Sequence, residues 1–208
     1  MLETTLVPPN ATSQFGKGID MEGNYLIVGD ETEAAQAGGA YIYFREPGTG
    51  TWDAGIRIAP PTPEAGAGFG GAFNGLAISG NWAFVGAWGE DSSGLANSGA
   101  AYAFERVGTN AWAFRQRLTP PNPAAGDSFG SVSLDGKFAV VGGLNLSEAY
   151  LYELVGGTWG RISTIQAAGV AVGDWFGYPT DISQNHAIIG AHLDDQAATD
   201  AGAFYVFE

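Results

Sequence analysis

Phe69-Gly70, then Trp82-Ala83-Phe84-Val85-Gly86, then Gly99-Ala100-Ala101-Tyr102-Ala103-Phe104-Glu105 stand in that order in the middle of the chain, and each signal recurs elsewhere. The Phe-Gly pair returns at Phe15-Gly16, Phe129-Gly130 and Phe176-Gly177, at successive spacings of 54, 60 and 47 residues. A short apolar run ending in glycine follows each pair: Tyr25 to Gly29, Trp82 to Gly86, Phe138 to Gly142 and His186 to Gly190. Short runs rich in Val, Ile and Phe are what strands covered on both faces look like. After a loop of variable length comes strict alternation, with Tyr41 and Tyr43, Tyr102 and Phe104, Tyr150 and Tyr152, and Tyr205 and Phe207 two residues apart. Period two places each pair on one face of a third strand.

A fourth segment opens on tryptophan at Trp52, Trp112 and Trp159, and the first two run on to Pro60-Pro61 and Pro120-Pro121, where the strand must end. Four such units at this period predict a repeat array and not a conventional single-core domain. The fold expected is all-β, a β-propeller of about four four-stranded blades. The repeats cover roughly residues 10–61, 62–121, 122–168 and 169–208 plus 1–9, within one domain spanning 1–208. The fourth repeat stops after its third strand. Leu6-Val7-Pro8-Pro9 precedes Phe15-Gly16 as Arg57-Ile58-Ala59-Pro60-Pro61 precedes Phe69-Gly70. The N-terminal strand, Thr4 to Pro9, is therefore expected to complete the C-terminal blade and close a ring.

Composition agrees with many short strands joined by tight turns: 33 Gly, 10 Pro, 12% aromatic and only 14% charged residues in 208. There is no cysteine, which excludes disulfides, zinc thiolates and a thiol nucleophile. A formal charge of −14 repels phosphate backbones and anionic bilayers, so nucleic acid is excluded as a natural partner and membrane insertion is not expected. No apolar run approaches the length of a bilayer-spanning helix.

The Phe-Gly pairs, the second strands ending Val28-Gly29, Val85-Gly86, Val141-Gly142 and Ile189-Gly190, and the Gly-Ala-x-Tyr-like third strands together resemble the FG-GAP repeats of integrin-α-type propellers. The motifs best formed are Gly99 to Glu105 and Gly202-Ala203-Phe204-Tyr205-Val206-Phe207-Glu208. The resemblance implies a binding or adhesion module at the cell surface or outside the cell. It also implies seven blades as the common number, against about four here. Some repeats of that family bind calcium in an Asp-x-Asp-x-Asp-Gly loop between the first and second strands. The corresponding turns here read Asp20-Met21-Glu22-Gly23-Asn24, Ser79-Gly80-Asn81, Asp135-Gly136-Lys137 and Ser183-Gln184-Asn185. They hold too few carboxylates for six to eight oxygen ligands, so no metal site and no cofactor is expected.

Gly66-Ala67-Gly68-Phe69-Gly70-Gly71 fits a dinucleotide fingerprint by spacing alone, but prolines precede it and a strand follows, where that motif needs a strand and then a helix. His186 stands where other repeats have Tyr25, Trp82 and Phe138, so a partly buried ring is expected there. No Ser-His-acid constellation has supporting context, and the acid pairs Glu90-Asp91 and Asp194-Asp195 lie in loops. The chain is therefore expected not to be an enzyme, with no catalytic residue assigned. Trp52, Trp112 and Trp159 recur in register and read as packing residues. Trp88 and Trp175 do not: their counterparts are Glu31, Leu144 and His192 for the first, and Gln14, Gly68 and Ser128 for the second.

In antiparallel blades the loops after Gly29, Gly86, Gly142 and Gly190 share one end with the segments before each Phe-Gly. That end collects most of the acidic residues together with Trp88, Trp175 and His192. Arg45, Arg106, Lys137 and Arg161 fall near the opposite turns, and Arg57, Arg115 and Arg117 on outer strands. The ligand-binding residues expected are Trp88, Glu90, Asp91, Trp175, His192, Asp194 and Asp195, on one acidic face suited to a carbohydrate or a protein, including a cationic or cation-bridged ligand. The competing expectation is a structural repeat unit of a surface assembly, or a piece of a larger propeller, which admits a homo-oligomer.

Overall fold

The computed structural model describes residues 4–8, 14–71 and 74–208. Among the described residues, fifteen strands form four antiparallel sheets arranged as the blades of a four-bladed β-propeller. The first blade contains β1 (Ile19–Glu22), β2 (Tyr25–Asp30), β3 (Gly39–Phe44) and β4 (Ile56–Ile58), and the second β5 (Leu76–Ser79), β6 (Trp82–Ala87), β7 (Ala100–Gly108) and β8 (Ala111–Leu118). The third is built from β9 (Phe129–Asp135), β10 (Phe138–Gly143), β11 (Ala149–Val155) and β12 (Thr158–Ile165), and the fourth from β13 (Thr180–Ser183), β14 (His186–Ala191) and β15 (Ala203–Phe207). Each sheet runs in simple sequence order from the inner strand outward. Helical turns are confined, among the described residues, to Glu33–Gln36 and Ser92–Gly94. No helix in them is long and apolar enough to cross a membrane.

The core lies in the seams between blades. Ile27, Ile42 and Ile58 of the first blade meet Phe69, Leu76, Val85 and Tyr102 of the second. Phe84 and Ala101 of the second meet Phe129, Val132 and Tyr150 of the third. Val140 and Ile165 of the third meet Phe176, Ile182 and Ile189 of the fourth. Full burial of one such side chain contributes about 1.5–3 kcal/mol, so every seam is a substantial hydrophobic contact. Each Phe of a Phe-Gly pair packs edge-on against its own blade's third-strand aromatics, as Phe69 does on Tyr102 at 5.6 Å and Phe176 on Tyr205 at 5.6 Å. Two of the register tryptophans lie in these seams: Trp112 meets Tyr25 of the preceding blade at 6.0 Å, and Trp159 meets Trp82 and Phe84 at 5.5 and 4.9 Å, whereas Trp52 packs on the first blade's own cluster of Val28, Tyr41 and Tyr43.

The glycine that ends each second strand has a steric cause. A Cβ on Gly29 would lie 1.8 Å from the carbonyl oxygen of Gly70, one on Gly86 1.9 Å from that of Gly130, and one on Gly142 2.3 Å from that of Gly177. The Phe-Gly glycine of one blade thus seats directly on the second strand of the blade before it, and no side chain fits between them.

Two expectations are corrected. The N-terminal segment does not complete the fourth blade, which has three strands: residues 4–8 form no strand, and Leu6 packs with Phe15 against Val28, Tyr41 and Tyr43 of the first blade. Residue 9 of the expected strand lies outside the described residues. His186 is exposed and not half-buried: among the described residues no tryptophan meets it as Trp112 meets Tyr25 and Trp159 meets Trp82.

Candidate functional site

The loops leaving the second strands and the segments entering each Phe-Gly do gather at one end of the blades. Gly66, Gly68 and Phe69 donate their N–H groups to the carbonyls of Ala35, Gln36 and Ala37, while Gly126, Ser128 and Phe129 donate theirs to those of Ala96, Asn97 and Ser98. Loops of neighbouring blades are therefore stitched through their backbones, which frees the side chains above them for other roles.

Much of the acidity expected to face solvent there is internal. In every blade a loop carboxylate accepts the hydroxyl of the first third-strand tyrosine. Tyr41 donates to Glu33 at 2.9 Å, Tyr102 to Glu90 at 2.5 Å, Tyr205 to Asp194 at 2.6 Å, and Tyr150 to Glu148. A further donor steadies each acid: Arg57 to Glu33 (2.8 Å), Arg117 to Glu90 (2.7 Å), Gln166 to Glu148 (2.9 Å) and Gln196 to Asp194 (3.3 Å). Burial and the Glu90 hydrogen bond push the Tyr102 hydroxyl well above the usual phenol value, and burial with Glu148 does the same for Tyr150. The bond to Asp194 pushes Tyr205 up to about 12, and the reciprocal bond holds the Asp194 carboxyl below its usual value. These carboxylates fasten each loop to its blade.

Of the residues expected to bind a ligand, Glu90 and Asp194 are buried, with their oxygens engaged inside the fold. The expected segregation of charge is corrected too. Lys17, which the sequence already puts close to the acidic side, pairs with Glu31, and Arg57 and Arg117 join it there by reaching up from β4 and β8 to neutralise Glu33 and Glu90. A sequence signal for the fastening existed, since Glu33, Glu90 and Asp194 each lie four residues beyond Gly29, Gly86 and Gly190. Glu148 breaks that spacing and hides the pattern.

Trp88 and Trp175 turn out to serve one structural spot. The residue before Phe-Gly is left-handed in the second, third and fourth blades, at φ +62° for Gly68, +50° for Ser128 and +60° for Trp175. In the second blade Gly68 occupies it, and Trp88 lies across it: a Cβ on Gly68 would be 2.5 Å from the indole Nε1. In the fourth blade Trp175 fills that place, and His192, the counterpart of Trp88, meets it edge-on at 4.6 Å. Tyr178 completes the group at 6.3 Å from Trp175 and 5.7 Å from His192. Trp88 is half-buried and Trp175 likewise, whereas His192, Asp91 and Asp195 are exposed. Asp91 accepts the N–H of Asn97 at 2.8 Å and Asp195 that of Asp200 at 2.7 Å, each leaving carboxylate capacity facing outward. The structure thus brings Trp175, His192 and Asp195 together on the fourth blade's loops and leaves Trp88 and Asp91 on the second's. Tyr178 was missed because its pairing with His192 crosses from one strand's approach to the next strand's exit.

The inner-strand turns do not fit a calcium site. Asp20 accepts from the N–H of Met21 at 2.8 Å and of Ile78 at 2.7 Å, Glu22 from Ser79 Oγ at 3.0 Å and the N–H of Gly80, and Asp135 from the N–H of Gln184 at 2.5 Å. Carboxylates that face N–H groups of the next blade offer few lone pairs to a cation. Among the described residues no three His, Cys, Asp or Glu side chains gather closely enough to hold a metal ion.

No curated protein matches the chain. The FG-GAP repeat family matches residues 52–104, 112–148 and 159–207, well over half the chain and in phase with the second, third and fourth blades. With the Phe-Gly seats on Gly29, Gly86 and Gly142 giving that repeat its structural meaning, the chain belongs to the FG-GAP repeat family.

Proposed function

We propose that this chain is a non-catalytic binding module of the cell surface or extracellular space, holding a carbohydrate or protein ligand on the loops of its fourth blade. The family supports the module and its location, since FG-GAP repeats are typical of extracellular proteins. The observation that carries the site is Trp175. A bulky residue in the left-handed region costs about 1–3 kcal/mol relative to the glycine that stands at the same place in the second blade. That cost is offset only in part by half-burial against His192 and Tyr178. The arrangement is one a sugar ring or a peptide side chain stacks on, with Asp195, exposed on the loop that carries His192, able to accept hydroxyl or ammonium hydrogens. The non-catalytic reading rests on the loop acids: Glu33, Glu90, Glu148 and Asp194 are committed to tyrosine hydroxyls and poorly placed to exchange protons with a substrate.

A glycan array and a panel of extracellular-matrix proteins, each run with and without calcium, identify the ligand. Trp175→Ala with His192→Ala is expected to lower affinity at least tenfold while leaving the circular dichroism spectrum unchanged. Binding that survives this pair, or that maps instead to the turns at Gly23, Gly80 and Gly136, overturns the assignment.

A further inference from the structure

The axis of the propeller carries chemistry that the fold does not use. Asn74, at the entrance to β5, donates Nδ2 to the carbonyl of Val132 at 3.2 Å and to that of Thr180 at 2.6 Å, and its own carbonyl accepts the N–H of Val132 at 2.8 Å. One residue of the second blade thus holds both the third and the fourth, and this tight curvature brings the four inner strands around one hollow of about 350 Å³. Four carboxylates line it, Asp20, Glu22, Asp135 and Asp181, and among the described residues no Lys, Arg or His side chain does. The cations of the neighbouring turns are held elsewhere, Arg106 by Asn81 and Tyr25, and Lys137 by Glu153. Charge of one sign in a concave wall focuses a negative potential into it.

The acids stand in two tiers. Asp20, Ser133 and Asp181 pair with Ile27, Val140 and Ile188, the third residue of each second strand, and share one level with Ala77. Glu22, Ser79, Asp135 and Ser183 share the level two residues on, about 7 Å along the strands. Among the described residues Asp181 uses Oδ1 alone, for the N–H of Ile182 at 2.9 Å, and Asp135 uses Oδ2 alone, for the N–H of Gln184 at 2.5 Å. Each tier therefore has a whole carboxylate oxygen to offer. Ser133 is an independent sign of a ligand. It is 6% exposed, it lines the hollow, and its Oγ has no hydrogen-bond partner among the described residues. An unpaired buried hydroxyl costs stability that an alanine, such as Ala77 on the same level, does not.

We infer that the axial hollow binds a linear alkyl diamine or polyamine, with one ammonium group at each tier. A metal ion does not fit, because among the described residues no three acids gather closely enough to hold one. An ammonium group has only three hydrogens to place, and it gives them to carboxylate, hydroxyl and amide oxygens alike. The first tier offers Asp181 and Ser133 Oγ, with Asn74 beyond them, whose amide turns Nδ2 to two carbonyls and leaves Oδ1 as an acceptor. The second tier offers Asp135 and Glu22. The four-carbon spacer of butane-1,4-diamine nearly spans the distance between the tiers, so both charges are met at once. None of Trp175, Tyr178, His192 and Asp195 lines the hollow, which makes it a site apart from the one on the fourth blade's loops.

Isothermal titration calorimetry of the full chain with butane-1,4-diamine, ethane-1,2-diamine and butylamine, at one fixed ionic strength, tests this. One saturable site is expected, holding butane-1,4-diamine at least about tenfold tighter than the short diamine, which cannot reach both tiers, or the monoamine. Asp181→Asn and Asp135→Asn each keep an oxygen for the one N–H they accept while removing a charge, and each is expected to weaken binding about fivefold or more. Ser133→Ala is expected to weaken it about threefold yet to melt no lower than the parent without diamine, a split that a purely structural serine does not give. Glu46→Gln removes the same charge from an exposed turn at that end of the blades, and is expected to stay within about twofold of the parent. Absence of a saturable site overturns the inference. So does equal affinity for butylamine and butane-1,4-diamine, which assigns the hollow to a lone ammonium such as a lysine side chain. A loss in Glu46→Gln as large as in Asp181→Asn overturns it too, by showing only diffuse attraction to a chain of charge −14.

Discussion

Trp159 is the most completely buried of the register tryptophans, and its removal puts the seam between the second and third blades to a quantitative test. Trp159→Ala removes an indole that meets Trp82 at 5.5 Å and Phe84 at 4.9 Å, both edge-to-face. The backbone of residue 159 is held separately, by Gln116, which accepts its N–H at 2.9 Å and donates to its carbonyl at 2.8 Å. Truncation therefore leaves the strand in place and empties a cavity that its clamped neighbours cannot collapse. Losses of this kind run to about 3–5 kcal/mol, or about 6–20 °C in Tm for a chain of this length, out of a total stability of about 5–15 kcal/mol. Trp159→Phe keeps a ring against Trp82 and Phe84 and discards an indole N–H that has no hydrogen-bond partner among the described residues, so a loss of about 1–2 kcal/mol is expected. Trp88→Ala, at a half-buried indole lying across Gly68, is expected to cost about 1 kcal/mol or less, and Trp112→Ala to fall between. Urea melts followed by far-ultraviolet circular dichroism rank the four variants without relying on tryptophan emission. Equal losses for Trp159→Ala and Trp88→Ala would refute the claim that the seams, and not the loops, hold the fold.

Gly86→Ala forces a methyl to within 1.9 Å of the Gly130 carbonyl oxygen, a backbone atom that cannot swing aside, and is expected to cost at least about 3 kcal/mol, whereas Gly160→Ala, with its nearest neighbour 4.0 Å away, is expected within about 0.5 kcal/mol of the parent; thermal melts of the two decide whether the seating of one blade on another is as close as described. Stability is expected to fall in alkali: Tyr152 is pushed up to about 12 by burial and Tyr205 to about 12 by Asp194, both from 10.0, so their contribution is complete below about pH 10 and is lost as pH rises through 12. Urea midpoints at pH 8 and pH 11.5 check this, and a midpoint that does not move, or moves as far in Tyr205→Phe as in the parent, contradicts it.

What the sequence made legible is what repeats at fixed offset. Phe-Gly, the glycine ending the second strand, the alternating aromatics and the tryptophan opening the fourth strand all sit at regular distances, because each answers a demand the seam makes in every blade. The carboxylate that fastens each loop answers such a demand too. Its distance from the strand varies with loop length, as Glu148 against Glu33, Glu90 and Asp194 illustrates, and so it reads as ordinary surface acidity. Arg57 and Arg117 were legible as outer-strand residues, but their length lets them reach the loop end, which no count along the chain reveals. The outer strand of the fourth blade was a counting argument and failed for a geometric reason. Leu6 packs instead, with Phe15, on Val28, Tyr41 and Tyr43 of the first blade.

Because the Phe-Gly glycine seats on the strand glycine of the blade before it through backbone, the side chain standing above each Phe-Gly is not needed for that contact. Gly70 seats on Gly29 and Gly130 on Gly86 whatever side chains stand two residues beyond those strand glycines. The four blades accordingly hold four unlike solutions at that place: Glu31 paired with Lys17, Trp88 laid over Gly68, a half-buried Leu144 in the blade whose left-handed residue is Ser128, and His192 against Trp175. Of these only the last combines a bulky residue in a left-handed backbone with an exposed ring as its neighbour. A packing requirement alone is met more cheaply by the Gly68 and Trp88 exchange, which places an indole in the same spot with no backbone penalty. The asymmetry between the second and fourth blades is therefore the point at which stability stops explaining the side chains, and it is the ground on which the ligand site is proposed for the loops of the fourth blade.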